Sequence, residues 1–184
     1  MTAPVPHREA LFALCDRLPA DLPWAVTASE NLALRGFDVS PGDIDVVSDA
    51  EGVYRIEELC SESVVRAVVP PEEAEADHIR SHFGALSLSG TEVELMGDVE
   101  HRVGETTESP PKAGETGGGE WVADPPVAEA REFLTVADRE VPVMPLDVEA
   151  AGYRARGETD RARRIEARIA ETPVDDGDAV GARR

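Results

Sequence analysis

Gly42-Asp43-Ile44-Asp45-Val46-Val47 is the stretch on which the reading of this chain turns. The apolar residues around the acids, ending in Val46-Val47, predict a β-strand. Side chains alternate along a strand, so both carboxylates leave one face while Ile44 enters the core. Two carboxylates about 7 Å apart along a strand can converge on a divalent cation. Mg²⁺ is usually held by one or two carboxylates together with substrate phosphates, so the pair suggests phosphate chemistry. An isolated Asp-x-Asp is common and more often a solvated turn; the surrounding sequence has to decide.

Upstream, residues 7–18 predict an amphipathic helix with Leu11, Phe12, Leu14, Cys15 and Leu18 on one stripe. Trp24-Ala25-Val26-Thr27 reads as a short buried strand. Ser29 follows as an N-cap, with Asn31 to Leu34 helical behind it and Gly36 as the stop. Downstream, residues 51–60 predict a helix and residues 64–69 a β-branched strand. Residues 78–88 and 91–96 alternate around Ser89-Gly90, the signature of a hairpin. Phe133 to Val136 and Val141 to Met144 predict a second hairpin around Asp138-Arg139, and residues 147–156 and 158–171 two helices parted by Gly157.

The later hairpin supplies a third acid. In Glu92-Val93-Glu94-Leu95-Met96, Val93 and Leu95 share one face and Glu92 and Glu94 the other. If this strand lies beside the Asp43-to-Val47 strand, Glu94 reaches the same site. Three convergent acids suit two-metal phosphoryl or nucleotidyl transfer. Alternation alone is equally satisfied if Glu92 and Glu94 are the wet face of an edge strand.

Composition narrows the partners. Acids outnumber bases 38 to 18 in 184 residues, for a formal charge of −20, and Lys112 is the only lysine. Acid-rich, lysine-poor and aromatic-poor composition resembles that of proteins from extreme halophiles, in which molar salt screens self-repulsion. No basic stripe is present, which argues against binding to nucleic-acid backbone. The arginines of residues 161–168 read as the solvated face of a helix. No apolar run reaches the ~20 residues that span a bilayer, so a cytoplasmic protein is expected. Cys15 and Cys60 lack a CxxC or His at ligand spacing and read as buried free thiols.

Taken in order, the strand before Thr27-Ala28-Ser29, the helix, Asp43-Ile44-Asp45 on a strand and Val93-Glu94-Leu95 on a later strand resemble the nucleotidyltransferase superfamily with the DNA polymerase β-like fold. Within it, the chain looks most like small lincosamide- and aminoglycoside-adenylyltransferase-like proteins. Arg80-Ser81-His82-Phe83-Gly84 and Val141-Pro142-Val143-Met144-Pro145-Leu146 extend the resemblance to most of the chain. It implies that Asp43, Asp45 and Glu94 are catalytic and hold Mg²⁺ (or Mn²⁺), with Glu94 completing coordination or accepting the proton of the substrate hydroxyl. It implies that Ala28 and Ser29 bind the nucleotide, Ser29 matching the Ser of the family's Gly-Ser motif. Ala28 stands where that motif has Gly, a residue chosen for positive φ and close backbone approach.

The expected fold is therefore α/β (α+β): a small mixed twisted sheet flanked by helices, with C-terminal helices. Residues 1–146 form the nucleotidyltransferase-like domain with a mobile loop at about 104–119, residues 147–171 the C-terminal helices, and residues 172–184 a disordered acidic tail. The expected partners are an NTP and a hydroxyl acceptor, a small molecule or a protein, with no membrane and no nucleic acid. The alternative is a catalytically degenerate nucleotidyltransferase-like binding module or toxin–antitoxin component. His78 and His82, Arg35 and Arg80, and Tyr153 and Trp121 are lesser candidates for the pocket, with ordinary structural roles as their default.

Overall fold

The computed structural model describes residues 5–74, 78–103 and 119–171. The expected loop at 104–119, except Gly119, and the tail from residue 172 lie outside them. Helices Arg8–Arg17 (α1), Ala28–Leu34 (α2) and Ala50–Leu59 (α3) alternate with strands Trp24–Thr27 (β1), Ile44–Ser48 (β2) and Val64–Val69 (β3). The hairpin Ile79–Leu88 (β4) and Thr91–Val103 (β5) follows, then Glu120–Ala123 (β6), the single turn Val127–Ala130 (α4), and the hairpin Glu132–Val136 (β7) and Arg139–Val143 (β8). Leu146–Ala155 (α5) and Thr159–Glu171 (α6) close the described chain.

Among the described residues the strands make one mixed eight-stranded sheet in the order β3-β4-β5-β2-β1-β8-β7, with β6 on β5. The pairs β2/β5 and β1/β8 are parallel and the others antiparallel. Alternation divides the sheet's faces. Trp24, Val26, Ile44, Val46, Val93 and Leu95 pack with Leu11 and Leu14 of α1 and Val53 and Ile56 of α3 in the main core. Ala25, Val47 and Met96 leave the other face and meet Met144, just after β8, and Val148 of α5. Leu32 of α2 packs with Ala150, Tyr153, Ala162 and Ile165, tying the C-terminal helices to the first βα turn. This is the mixed, helix-flanked sheet expected from sequence.

Three local devices shape the sheet. Ser89 and Gly90 have φ of +48° and +79°, the doubly positive turn that suits the twist of a tight hairpin. Gly97 lets α3 lie against β5, because a Cβ there would come within 2.6 Å of Val53 Cγ2. At Asp98, φ is +49°, and the pairing shifts from His82↔Gly97 to Arg80↔Glu100. One extra residue on β5 is a β-bulge, and it exchanges the faces of everything beyond it. Val93 and Leu95 face the main core, whereas Val99 packs on the opposite face.

Several boundaries differ from the sequence reading. Asp43 immediately precedes β2 rather than opening it, and Ser29 lies inside α2, whose N-cap is Thr27. β5 continues to Val103, and β6 pairs with its far half. The second hairpin turns at Ala137, φ +59°. Cys15 and Cys60 are free thiols; Cys60 is buried as expected, whereas Cys15 is only partly buried, and desolvation pushes its thiol up to about 11.

Candidate active site

The register aligns the candidate residues across three strands. Thr27 on β1 pairs with Asp45 on β2, and Asp45 pairs with Glu94 on β5. All three belong to the face opposite the main core, as the burial of Ile44, Val46, Val93 and Leu95 on the other side requires. The parallel β2/β5 pair thus places the third acid on the same side as the first two. One step back along both strands, oxygens of Asp43, Glu92 and Glu94 lie within 4.8 Å of one another. Asp45 stands beside this trio, opposite Glu94 in the β2/β5 register.

The acids disturb one another. Burial pushes the Asp45 carboxyl up to about 7, reinforced by Asp43, Glu94 and Glu149 and opposed by Arg156. Glu94 is also raised, by burial and then by Asp43 and Glu92, with Arg66 acting against the shift. Clustered negative charge of this kind favours protonation unless a cation joins it. The donors are all carboxylate oxygens, the ligand type that Mg²⁺ and Mn²⁺ take. The residues present therefore fit such an ion. Glu92 was readable as a wet strand face; the structure brings it to the cluster.

The β1–α2 turn is held from a distance. Ala28 has φ +53°, the left-handed region where an alanine is strained and a glycine is not. Its N–H donates to Glu149 Oε1 and Oε2 at 3.0 and 3.1 Å. Thr27 Oγ1 and Asn31 Nδ2 each donate to Glu149 Oε1 at 2.7 Å, and Asn31 Nδ2 also reaches the Met144 carbonyl at 2.8 Å. Glu149 comes from α5 and is 5% exposed. Burial pushes its carboxyl up to about 7 against the pull of these donors and Arg156. It thus replaces Ser29 as the cap of α2. An acid on the apolar side of Leu146-to-Tyr153 was the available signal; its partners lie too far away in sequence to be read.

Around this turn opens a cleft of about 790 Å³, lined by Thr27, Ala28, Ser29, Asp45 and Glu149 on one side. Beyond the bulge, His101 enters the cleft wall, 7% exposed, with Nε2 3.2 Å from Asp124 Oδ2. His82 lines the cleft, with Nδ1 3.1 Å from the Tyr54 hydroxyl, whereas His78 precedes β4 and does not line it. Tyr153 lines it too. Arg35 pairs with Glu132, and Arg80 pairs with Glu100 and stacks on Trp121, so these three take structural roles.

A mixed sheet carrying acids on adjacent parallel strands, beside a βα turn that opens a short helix, defines a nucleotidyltransferase-like protein. The sequence profile of the aminoglycoside-2''-adenylyltransferase family matches residues 10–169, and the chain belongs to that family. A candidate nucleotidyltransferase of Thermotoga maritima, TM1012, shares 30% identity at a TM-score of 0.66, over 88% of this chain and 91% of that one. Two more distant structures overlap it. The lincosamide antibiotic adenylyltransferase LnuA, bound to lincomycin, has 13% identity and a TM-score of 0.39, over 77% of this chain and 86% of that one. An antigenic nucleotidyltransferase-like protein of Paracoccidioides brasiliensis has 11% identity and a TM-score of 0.32, over 77% and 64%. No curated protein matches the chain.

Proposed function

We propose that this protein transfers an NMP group, AMP by its family, from an NTP to a hydroxyl of a small molecule. The observation that carries the proposal is the placement of Asp45 and Glu94 side by side on parallel strands, with Asp43 and Glu92 one step away. Asp43, Asp45, Glu92 and Glu94 are the residues that would hold Mg²⁺ or Mn²⁺. Such an ion, when bound, neutralises charge on the transferred group and on pyrophosphate, and lowers the pKa of the attacking hydroxyl. Glu94, beside Asp45 across the parallel strands, would accept the hydroxyl proton as the oxygen attacks the α-phosphorus and pyrophosphate leaves. Ala28 and Ser29, at the start of α2 and in the cleft lining, would border the nucleotide.

The cleft lining also includes Asp98 and Asp124 beside His101. Such a wall attracts a cationic acceptor, which agrees with the aminoglycoside in the family's description. Radiolabelled ATP incubated with Mg²⁺ and a panel of aminoglycosides tests the reading. Label transfer that disappears in Asp43→Ala supports it; absence of transfer to any hydroxyl acceptor, with no heat on titrating MgATP, sinks it.

One observation favours a second reading, a non-catalytic nucleotidyltransferase-like module or toxin–antitoxin component. The Ala28 N–H is already engaged by Glu149, and a methyl group stands where the family motif has none. Under that reading a stable protein partner co-purifies and MgATP does not bind.

A further inference from the structure

The cleft holds two arginines that the acids do not explain. Arg156 follows the last residue of α5, and Arg161 lies in the first turns of α6. Both line the cleft that contains Thr27, Ser29 and Asp45. Both guanidiniums stack on one buried ring, with Arg156 Cζ 4.5 Å and Arg161 Cζ 4.9 Å from the Tyr153 centroid. A ring gripped in this way fixes two otherwise flexible cations, so less entropy is lost when an anion docks. Arg156 also acts on the candidate active site, lowering the pKa of Asp45 and Glu149 against their burial.

A single side chain spans the pair. Glu158, in the link between the two helices, places Oε1 3.4 Å from Arg156 Nε and Oε2 3.2 Å from Arg161 Nη1. The carboxylate is half exposed and both contacts are long for charge-assisted bonds. It is a weak internal anion held between two forks of the kind that match phosphate oxygens.

We propose that Arg156 and Arg161 form the polyphosphate-binding pair of this cleft, and that Glu158 is the internal carboxylate the incoming phosphates displace. The proposal rests on the nucleotidyl-transfer reading for its ligand, an NTP. The charge argument is direct. Acids elsewhere in the cleft lining, Asp45, Asp49, Asp98 and Asp124, repel a triphosphate, and these two guanidiniums supply opposite charge, with Arg156 acting on Asp45. Glu158 then tunes affinity: it keeps the forks aligned in the free protein and competes with the ligand for them.

The test uses the full chain and two probes, MgATP and inorganic tripolyphosphate without metal, titrated calorimetrically into wild type, Glu158→Gln, Arg161→Gln and Arg156→Gln. Glu158→Gln is expected to bind both probes several-fold more tightly, and each arginine variant at least about tenfold more weakly. Arg161→Lys, which keeps charge but loses the fork, is expected to fall between. Melting temperatures identify any variant that fails to fold, and Glu158→Gln, at a half-exposed position, keeps the test decisive if Arg156→Gln does. If wild type and folded arginine variants bind MgATP alike, or if Glu158→Gln binds no tighter than wild type, the inference is overturned while nucleotidyl transfer stands. If tripolyphosphate follows the expected order but no label is transferred from ATP, the pair stands and the transferase reading falls. If wild type binds neither probe, both are overturned.

Discussion

The Ala28 N–H donates to both oxygens of the Glu149 carboxylate, reached from the far end of the fold. This contact explains how a left-handed alanine persists at the mouth of the cleft: strain at one residue is held by a buried acid that also caps α2. Ala28→Gly is expected to relieve that strain and stabilise the protein by up to about 1 kcal/mol in urea denaturation. Glu149→Ala leaves the Asn31, Thr27 and Ala28 donors short of an acceptor and is expected to cost about 1–3 kcal/mol. Combining the two should recover part of the loss, because glycine needs no anchor at this φ. A strictly additive double mutant would show that Glu149 does not hold the turn.

The acid cluster is expected to trade stability for metal. Without a divalent cation, Asp45→Asn removes one of several mutually repelling carboxylates and should raise the melting temperature above pH 7. Mg²⁺ or Mn²⁺ should stabilise wild type, by about 2.7 kcal/mol at a concentration a hundred times the Kd. Asp43→Ala and Glu94→Ala should abolish that gain and Glu92→Gln should reduce it. A wild-type melting temperature indifferent to both ions would remove the metal from the proposed mechanism.

Stability should fall as pH rises from about 4.5 to about 7. Asp45 and Glu149 have folded pKa values near 7, against ordinary values of 3.8 and 4.5. Across that window the unfolded chain has released both protons and the folded chain keeps them, so raising pH favours unfolding; above about 7 the loss levels off. The Asp16 and Glu100 carboxyls, lowered by Arg139 and Arg80, act with opposite sign at lower pH. Chemical denaturation at half-unit pH steps checks the slope, and the Asp45→Asn/Glu149→Gln double variant should flatten it. A slope unchanged in that variant would assign it to other groups.

A formal charge of −20 on 184 residues should make the fold salt-dependent. Raising KCl from about 0.1 M to 1 M shortens the screening length from about 10 Å to about 3 Å. The melting temperature is expected to climb over that range, as adaptation to a salt-rich interior would require. A melting curve insensitive to KCl would detach the acidic composition from salt.

Residues whose meaning is local were legible before the structure. Ser89-Gly90 announced its hairpin because only a positive-φ turn fits there, and Asp43 and Asp45 announced a common face because strands alternate, whereas Glu94 joined them only through the family resemblance. Glu92 was equally legible, since it shares the parity of Glu94, but parity alone cannot separate a ligand from a wet edge. Glu149 and Arg156 were not legible: each acquires its role only when α5 packs against β1 and α2. Nor was the reach of β5 past Met96, because its alternation breaks at Asp98, and a pattern that changes phase reads as an end.

That change of phase gives the strand two independent reading frames. The segment before Asp98 answers to the core through Val93 and Leu95, and the segment after it answers to the cleft through Val99 and His101. Substitutions in the second frame leave the first untouched. Deleting the single extra residue would merge them, turning toward the interior what now lines the cleft and exposing what is now hidden. This wall of the cleft is thereby free to diversify without renegotiating the fold.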